Sequence, residues 1–365
     1  MSYDAVIAGA SFGGLVLATT LKGRVAIIEK GEVGEGQTSA CGTTLDLVEK
    51  LGLEASIEEV HDEGVMHVHG GVVRFRLPYR FCTFDYGTFC RLLLERFDGD
   101  LVRAAVTGVS DDRGDTVVTT TEGDHTGRLA VDASGWRAAL ATAIDPGFPA
   151  RARVTYGLEQ PASGWSDPGL HFYFDPRVRG DGYGWSFPAG PVARAGVLSY
   201  ISPDGVRAST EDFIRAEGMR GSHYHGGYLT AGLRPAVAGP VFLVGDSAGH
   251  CLPLTGEGIR PAVYFAQRLG GLLNDVIDGR RTRFEARQAY VALQDDHVRR
   301  YQLLRAAQTA LKGWPDPPMG MFFRRYARQG RLYRWLSGAY WDVAAPILPA
   351  PGRAARASEL AGVVA

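Results

Sequence analysis

The chain has 365 residues, of which 45% are hydrophobic and 22% charged, proportions that exclude general disorder and predict one large or two modest domains. Its 39 basic and 40 acidic side chains give a formal charge of −1, which argues against nucleic-acid binding driven by a large positive charge. The sequence contains no apolar run of about 18 residues, so no transmembrane helix is predicted.

The N-terminus shows no signal-peptide pattern, because the first residues lead directly into an apolar strand. The cysteines form no C-x-x-C pair, which argues against a zinc site or a thioredoxin motif; they are Cys41, Cys82, Cys90 and Cys251. We therefore expect a cytoplasmic protein with free thiols.

Residues 3–29 have the pattern of a compact βαβ unit, with strands at 3–8 and 24–28 and a helix at 15–22. The loop after the first strand reads G-x-S-x-G-G from Gly9 to Gly14, a variant of the G-x-G-x-x-G fingerprint of dinucleotide-binding proteins. A strand, a glycine loop and a helix in this order place free N–H groups and a positive dipole end where a pyrophosphate binds.

Each position of this loop has a physical role. Gly9 permits the tight turn, Gly14 lets the helix approach the strand, and Ser11 is small where the backbone faces the pyrophosphate. Glu29 lies 20 residues after Gly9, where an acid accepts a ribose hydroxyl, which favours FAD or NAD over NADP. The predicted contacts to the dinucleotide are Gly9, Ser11, Phe12, Gly13, Gly14, Glu29 and Lys30.

Two stretches of the chain contain closely spaced histidines. They are His61, His67 and His69 in one stretch, and His223 and His225 in the other. Neither has a carboxylate at metal-ligand spacing, so we predict no metal site.

Two later segments repeat the pattern of an apolar strand followed by a turn of small residues. Residues 128–135 end in Ser134 and Gly135, and residues 239–246 end in Gly245 and Asp246. A turn with glycines at 256 and 258 follows the second strand, and a helix is predicted from about residue 259 to 274.

With these motifs the sequence resembles the FAD-dependent oxidoreductases of the p-hydroxybenzoate hydroxylase fold group, and within it most closely the geranylgeranyl reductase family. The resemblance covers nearly the whole chain and rests on the glycine loop with Glu29 and on the segments 131–135, 245–249 and 253–259. The sequence departs from related hydroxylases where Gly249 precedes His250 and where Ile259 follows the final G-x-G.

The resemblance implies how these segments hold FAD. Asp246 would accept hydrogen bonds from the ribityl chain, and backbone N–H groups at 256–258 would face the N1/C2=O edge of the flavin. Amides and a helix dipole at that edge stabilise the negative charge of the reduced flavin. The implied contacts from these segments are Ser134, Gly135, Gly245, Asp246, Leu254, Gly256, Glu257, Gly258 and Ile259.

An aromatic motif, Y-G-W-S-F-P at residues 183–188, followed by seven residues and Gly196, matches the Y-x-W-x-F-P…G pattern of archaeal-type geranylgeranyl reductases. Strand alternation places Tyr183, Trp185 and Phe187 on one face, where they would form a wall for a long or flat apolar substrate beside the flavin. An ordinary strand with a buried aromatic face is the alternative interpretation.

The same motif is similar to the W-x-W-x-I-P signature of flavin-dependent halogenases. Those enzymes need an essential lysine in a separate segment, and none of the four lysines of this chain lies in such a context. A halogenase-like enzyme is therefore kept only as an alternative.

Residues 39–44 resemble the P-C-G-G loop that family members carry beside the flavin ring. Cys41 and Gly42 are retained, and Cys41 is predicted to donate a proton or to tune the flavin, although a small apolar filler is the alternative. Tyr183 and His250 are the other predicted proton donors, and a Cys41–Cys251 redox pair is a further hypothesis.

The family's D-R-x-x-F/L-D-x-x-L segment is altered in this chain. Tyr86 occupies the usual arginine position, and we predict that Arg91, further along the same helix, contacts the cofactor instead.

The fold class implied is α/β, with a Rossmann-like FAD-binding domain that is discontinuous in sequence, a mixed β-sheet substrate domain and C-terminal helices. The predicted boundaries are 1–60, 100–145 and 235–275 for the FAD-binding domain, 61–99 and 146–234 for the substrate domain, and 276–365 for the helical region.

Residues 319–341 are aromatic and basic and contain no acid. This composition predicts a membrane-surface helix that collects a lipid substrate, or a helix packed on the FAD-binding domain with an arginine-rich solvent face.

The resemblance implies an FAD-dependent reductase that saturates C=C bonds of an isoprenoid or other apolar substrate by hydride transfer from reduced flavin. The alternatives are a monooxygenase or oxidase of an aromatic or polyketide secondary metabolite, and a non-catalytic carrier of a lipid or prenyl group. No second dinucleotide loop occurs, so electrons would come from NAD(P)H that docks transiently or from ferredoxin. The substrate and the oligomeric state stay open.

Overall fold

The structure is a computed structural model that describes residues 2–68, 70–112, 114–151, 153–175, 178–312 and 316–343. Its strands, numbered in chain order, fall into two sheets. The first sheet contains β1 (Tyr3–Ala8), β2 (Val25–Glu29), β6 (Asp100–Arg103), β7 (Val106–Asp112), β8 (Asp115–Thr120), β9 (Gly123–Asp132), β16 (Val237–Ala238) and β17 (Val241–Leu243). The second contains β3 (Gly42–Thr44), β4 (Ile57–Val68), β5 (Gly71–Phe84), β10 (Val154–Ser163), β11 (Leu170–Phe174), β12 (Gly182–Ala189), β13 (Val192–Ser199), β14 (Arg220–Gly221) and β15 (His225–Thr230).

The described residues also form nine α-helices. They are α1 (Phe12–Thr20), α2 (Leu45–Lys50), α3 (Tyr86–Leu94), α4 (Ala139–Ile144), α5 (Val206–Ala216), α6 (Ile259–Ile277), α7 (Arg283–Lys312), α8 (Asp316–Ala327) and α9 (Arg331–Val343). None of them, over the residues described, is both long and apolar enough to cross a lipid bilayer.

The first sheet has a parallel core in the order β17-β9-β1-β2-β6. Residues 5–8 of β1 are all buried, as expected for a parallel strand that helices cover on both faces. Leu15 of α1 packs with Phe265 of α6 on one face, and Leu140 of α4 packs with Val118 on the other. This is the Rossmann-like arrangement that the sequence predicts.

Two glycines permit the sharp turn between β1 and α1. Gly9 has a φ of +104°, and a Cβ atom there would lie 2.4 Å from the carbonyl oxygen of Ala133. A Cβ atom at Gly14 would lie 1.9 Å from the carbonyl oxygen of Gly9. Any larger residue would therefore force the glycine loop away from the neighbouring strand end.

The second sheet is mixed, because β11 pairs parallel with β4, whereas all other described strand pairs of this sheet are antiparallel. Its strands run in the order β14-β10-β13-β12-β11-β4-β5-β3, with β15 beside β10. Helix α5 covers one face, where Phe213 and Ile214 pack with Tyr173 and Val197. The opposite face is turned toward the first sheet and carries the aromatic motif.

The elements depart from the predicted domain boundaries in two places. Strand β3 and residues 57–60 of β4 belong to the second sheet, although they lie within the predicted range 1–60. Helix α3 lies within the predicted range 61–99, yet it packs on α1 of the first domain, where the rings of Phe89 and Phe12 are 5.4 Å apart. The apolar face of α3 decides its position, since Phe89 and Leu93 are buried there.

The last part of the chain that the structure describes is helical, as predicted, and these helices contact both sheets. Helix α7 runs along the first domain, and the Tyr290 hydroxyl donates to the carbonyl of Leu243 at 2.8 Å. Helix α8 packs on the second sheet, where Met319 and Phe323 contact Val68 and Val73. The sequence predicts the FAD-binding domain as one packing partner of this segment, but the apolar side chains of α8 find their partners on the second sheet. Residues 344–365 of the predicted helical region lie outside the described residues.

Candidate active site

A cavity of about 1850 Å³ lies between the two sheets. The three glycine-bearing turns line one end of it, at residues 9–13, 133–137 and 244–246, together with the loop 254–259. Pockets for a single small molecule usually measure about 300–1,000 Å³, so this cavity has room for a dinucleotide and a second ligand.

One buried carboxylate connects the second and third turns. Asp132, at the end of β9, accepts hydrogen bonds from the Ser134 backbone N–H at 3.0 Å and from the Ser247 hydroxyl at 2.9 Å. Its other oxygen accepts the N–H groups of Leu140 and Ala141 at 2.8 and 3.0 Å, at the start of α4. Asp132 therefore fixes how these segments meet.

Glu29 holds the first turn. Its carboxylate accepts the backbone N–H of Ala10 at 2.8 Å and that of Gly31 at 3.0 Å. Glu29 and Lys30 both line the cavity, beside Gly9, Ser11, Phe12 and Gly13. Gly14 does not line it, because its role is the close packing of α1 on the strand.

The loop that leads into α6 combines a partly buried acid with the start of a helix, although the N–H of Gly256 in this loop already donates to the carbonyl of Leu252 at 3.0 Å. Asp246 faces the cavity, and burial raises its pKa to about 6, although the Thr230 backbone N–H and Arg234 act in the opposite direction. Gly258 is the N-cap of the 19-residue helix α6 and provides no side-chain cap. Amides at such a helix start attract an anionic ligand edge, so this loop fits the flavin that the resemblance implies.

Hydroxyl groups and an amide hold the carbonyls of this loop. Tyr183 donates to the carbonyl of Thr255 at 2.5 Å, Tyr200 to that of Leu254 at 2.7 Å, and Gln308 to that of Pro253 at 2.5 Å. These contacts come from β12, from the residue that follows β13, and from α7. The loop is thus held from the second sheet and from the C-terminal helices at once.

Glu257 lines the cavity, but its carboxylate is engaged within the protein. Arg260, whose side chain is 1% exposed, donates to it at 2.6 and 3.0 Å, and the Tyr340 hydroxyl of α9 donates to it as well. Leu254, Gly256, Gly258 and Ile259 complete the lining at this point.

Tyr183, Trp185 and Phe187 all face the cavity, as strand alternation predicts. Phe172 and Phe174 of β11 extend the wall, with rings 5.1 Å from Phe187 and 5.5 Å from Tyr183 respectively. The far end of the cavity is lined by apolar side chains of β4, β5, α7, α8 and α9, among them Met66, Phe75, Leu311, Phe323 and Leu336.

Glu159 of β10 is a cavity residue that sequence reasoning missed. It is 2% exposed, its carboxylate accepts the indole N–H of Trp185 at 2.9 Å, and Nε2 of His225 lies 3.1 Å away. The available signal was an acid between apolar residues of a strand. Its pairing with the aromatic motif depends on strand register, which a single sequence does not reveal.

Cys41 and His250 lie outside the cavity lining, so these positions do not suit the predicted proton donors. Cys41 is fully buried, its Sγ lies 3.4 Å from the carbonyl of Ser39, and burial raises the pKa of its thiol. Gly42 beside it does line the cavity. All four cysteines are free thiols, and the structure contains no Cys41–Cys251 bond.

His250 is also fully buried and stacks on Phe265 with ring centroids 3.8 Å apart. Its Nδ1 accepts the backbone N–H of Gly245 at 3.1 Å, and Nε2 lies 3.3 Å from the Gln294 side-chain oxygen. Burial lowers the pKa of His250 to about 3. A neutral imidazole in this position supports the turn at Gly245 and has no proton to give to the cavity.

Arg91 points to solvent, where its guanidinium lies 3.8 Å from the carboxylate of Glu95. It does not line the cavity, whereas Tyr86 does and donates to the Ser11 hydroxyl at 3.1 Å. Residues five apart on a helix are separated by about 140°, so Arg91 cannot share the inward face of Tyr86. The prediction for Arg91 is corrected accordingly.

The histidine stretches show no metal-like arrangement in the parts of the chain described. His67 and His171 contact each other at 2.9 Å on the second sheet, and burial lowers the pKa of His67 to about 4. His69 lies outside the described residues.

The sequence matches no protein-family model and no curated protein sequence. Among solved structures, a geranylgeranyl bacteriochlorophyll reductase-like protein from Thermoplasma acidophilum is 17% identical, with a TM-score of 0.78 over 90% of this chain and 91% of that one. PqsL, a probable FAD-dependent monooxygenase from Pseudomonas aeruginosa, is 17% identical, with a TM-score of 0.63 over 86% and 97%. The halogenase PltM is 12% identical, with a TM-score of 0.69 over 94% and 81%. The chain therefore shares its fold with proteins described as reductase-like, monooxygenase and halogenase.

Proposed function

We propose that this protein is an FAD-dependent reductase that saturates C=C bonds of an isoprenoid or another long apolar substrate. The observation that carries the proposal is the composition of the cavity. One end is formed by three glycine-bearing turns and a helix start, and the other by a continuous aromatic and aliphatic lining. A cofactor that transfers a hydride and an apolar acceptor would meet at the aromatic wall between them.

The residues present fit FAD. Glu29 and the turn 9–13 would hold the adenosine and pyrophosphate part, and Asp246 the ribityl chain. The N–H of Gly258 at the start of α6 would face the flavin edge, whereas the predicted N–H groups of Gly256 and Glu257 already donate to Leu252 and Thr255. Bound and reduced FAD would supply the hydride for the substrate carbon.

The chain itself excludes water and orients the substrate. Trp185 and Phe187 present ring faces to the cavity, and Tyr183 is locked by its hydrogen bond to Thr255. A rigid apolar wall loses little entropy when a flexible chain lies along it and keeps water from the reacting carbons. The electrons would reach the cofactor from NAD(P)H that docks transiently or from ferredoxin.

A monooxygenase or oxidase of an aromatic or polyketide metabolite is the second candidate, since PqsL has the same fold. The same cavity would accept a flat aromatic substrate. A halogenase is disfavoured, because Lys30 is the single lysine among the described lining residues and it lies beside Glu29 at the nucleotide end.

The test is anaerobic incubation of the dithionite-reduced protein with polyprenyl lipids and aromatic polyketides, followed by mass spectrometry. We expect the purified protein to be yellow and a polyprenyl lipid to gain two hydrogens. A product that gains one oxygen atom under air, together with a detectable C4a-hydroperoxide, would instead identify a monooxygenase. A colourless protein that binds no FAD would indicate a non-catalytic carrier.

A further inference from the structure

Four neighbouring strands of the second sheet place one residue each in a single row. His225 of β15 lies opposite Glu159 of β10, Glu159 opposite Gly196 of β13, and Gly196 opposite Trp185 of β12. Directly opposed residues share one face of a sheet. This face is the cavity floor, which both Glu159 and Trp185 line.

Gly196 allows the row to close. A Cβ atom at this position would lie 2.4 Å from Cζ2 of Trp185 and 2.6 Å from Cβ of Glu159. Because the space above Gly196 is free, the indole of Trp185 extends across β13 and donates its N–H to Glu159 at 2.9 Å. The glycine of the aromatic motif is thus required by a contact to an acid outside the motif.

The carboxylate of Glu159 is enclosed yet connected to solvent. Besides Trp185, the carboxylate contacts His225 and accepts the side-chain N–H of Gln37 at 3.4 Å. It also interacts electrostatically with the Arg194 guanidinium and the Cys41 thiol. Arg194 is also bound to Glu58 at 2.7 Å. His225 is 14% exposed, and its ring lies 5.3 Å from that of the exposed His223.

We propose that Glu159 is the acid that protonates the substrate and that His225 replaces its proton from solvent. This step rests on the proposed reductase function. The substrate receives a hydride at one alkene carbon, and the π electron pair forms the second C–H bond with the proton of the Glu159 carboxyl group. The resulting carboxylate takes a proton from the imidazolium form of His225, which becomes a neutral imidazole, and a water molecule then returns a proton to that ring.

The kinetic test compares Glu159→Gln with the wild type. A general acid contributes a rate factor of about 100 to 10,000, so we expect kcat to fall by that factor while KM changes little. Glu159→Asp keeps an acid and should restore part of the rate, and His225→Gln should lower the rate and alter its pH profile. Glu63→Gln removes an exposed acid of the same sheet and should retain wild-type activity.

A second readout does not depend on turnover. In the FAD-bound protein with labelled tryptophan, Trp185→Phe identifies the indole N–H signal of Trp185. We expect this signal to show a strong hydrogen bond and slow solvent exchange, and Glu159→Ala but not Glu63→Gln to abolish both features.

The two proposals fail differently. No reduced product from the wild type would overturn the reductase function and this step with it. A wild-type rate in a folded, FAD-replete Glu159→Gln would overturn the step alone. Loss of the indole hydrogen bond without loss of kcat would reduce Glu159 to a structural support of Trp185.

A different surface carries a second, independent inference. Five exposed arginines lie on α8, on α9 and between them, and no described acid forms an ion pair with them; they are Arg324, Arg325, Arg328, Arg331 and Arg334. Met321 and Trp335 on the same helices are 68% and 69% exposed, and Leu303 of α7 is 61% exposed. Trp335 and Leu303 also line the cavity and therefore stand at its opening.

We propose that this arginine-rich face docks on an anionic lipid bilayer, so that the opening of the cavity meets the membrane. Unpaired arginines complement lipid phosphates, and exposed Trp and Met side chains enter the interface between headgroups and acyl chains. A lipid substrate would pass into the cavity beside Trp335 without crossing water.

Flotation of the purified protein with vesicles tests this surface. We expect binding to vesicles of phosphatidylcholine with phosphatidylglycerol at low salt, little binding to phosphatidylcholine alone, and release at high salt. Arg328→Gln with Arg331→Gln should weaken binding several-fold, and Trp335→Ala should weaken it as well. The control Arg207→Gln with Arg215→Gln removes the same charge from α5 and should bind normally.

Absence of binding to anionic vesicles at low salt would overturn the membrane proposal. Binding of ferredoxin without binding to vesicles would assign the same arginines to an acidic protein partner instead. An equal loss of vesicle binding in the α5 control would mean that binding depends on the net charge of the protein and not on this arginine-rich face, and would contradict the proposal.

Discussion

At the scale of single residues, Gly196 shows how a missing side chain shapes the cavity floor. A methyl group there would lie 2.4 Å from the Trp185 ring, so we expect Gly196→Ala to displace the indole and break its bond to Glu159. Overpacking of this kind costs about 1–3 kcal/mol. Thermal unfolding and the affinity for an apolar ligand should both report the change.

The matched control is Gly180→Ala, because nothing lies within 4 Å of a Cβ atom at that position. It should leave stability and ligand affinity close to the wild type. If Gly196→Ala behaved in the same way, the close approach of Trp185 to β13 would be contradicted.

His250 gives a second prediction, in the pH dependence of stability. Burial lowers its pKa to about 3 from the ordinary 6.5, so the unfolded chain binds a proton that the native protein refuses. The stability that it contributes is fully present above pH 6.5 and is lost as the pH falls, by about 2 kcal/mol at pH 5. We expect His250→Gln to be less stable at pH 7 but less sensitive to acid.

Urea unfolding of both proteins between pH 5 and 8 measures this difference in slope. His61 and His171 are also buried with lowered pKa values and are present in both proteins. An identical pH dependence in wild type and variant would contradict a lowered pKa of His250 in the native state.

The sequence predicts the direction of a side chain well where that direction depends on a single strand. Alternation alone put Tyr183, Trp185 and Phe187 on one face, and they face the cavity together. Glu159 and Gly196 lie beside Trp185 because of the register between three strands. That register depends on the whole sheet, so a single sequence does not predict it. Cys41 and His250 lie in loops beside the cavity, but their side chains point into the protein. The direction of a side chain in a loop depends on local backbone angles that the sequence pattern does not reveal.

At the scale of elements, Asp132 joins β9, α4 and the turn at Ser247. Its carboxylate accepts hydrogen bonds from five donors on these segments. Asp132→Ala would leave buried donors unpaired, each worth about 1–3 kcal/mol, so we expect a loss of several kcal/mol and weaker FAD retention. Denaturant unfolding and the ratio of flavin to protein after gel filtration measure the two effects.

A conservative change separates geometry from charge. Asp132→Asn keeps one acceptor oxygen and should lose less stability than Asp132→Ala, while FAD retention stays impaired because the N–H groups of α4 and Ser134 compete for it. Full FAD retention in Asp132→Ala would mean that the turns hold their positions without this carboxylate.

Helix α3 explains why motif spacing misled the prediction for Arg91. The family pattern fixes which helix follows β5, but the side of the helix that faces the cavity is set by Phe89 and Leu93, which are buried. Tyr86 shares that inward side and reaches Ser11. The burial of the apolar face sets the rotation of the helix about its axis, and the directions of the polar side chains follow from that rotation.

At the scale of the whole molecule, the C-terminal helices decide what the cavity accepts. The sequence predicted helices after residue 276, yet it did not predict that α7, α8 and α9 close the apolar end, with α8 on the second sheet. That packing joins segments more than two hundred residues apart in the chain, such as Val73 and Met319. Local patterns carry no information on such a pairing.

The position of these helices leads to a prediction about substrate length. Ala307 of α7 lines the cavity, so Ala307→Phe would fill part of its apolar end. We expect long polyprenyl substrates to lose affinity, while short ones that occupy only the space beside the aromatic wall react almost normally. The ratio of kcat/KM for long and short substrates should therefore fall at least several-fold.

The neighbouring Ala306 provides the control, since it is exposed and does not line this cavity. Ala306→Phe adds the same ring to the same helix on its outer side and should leave the length ratio unchanged. An equal loss for short and long substrates in Ala307→Phe would mean that the ring disturbs the site itself. A discriminating loss would mean that the helices act as the end wall of the substrate chamber, because only a substrate long enough to reach them would be affected.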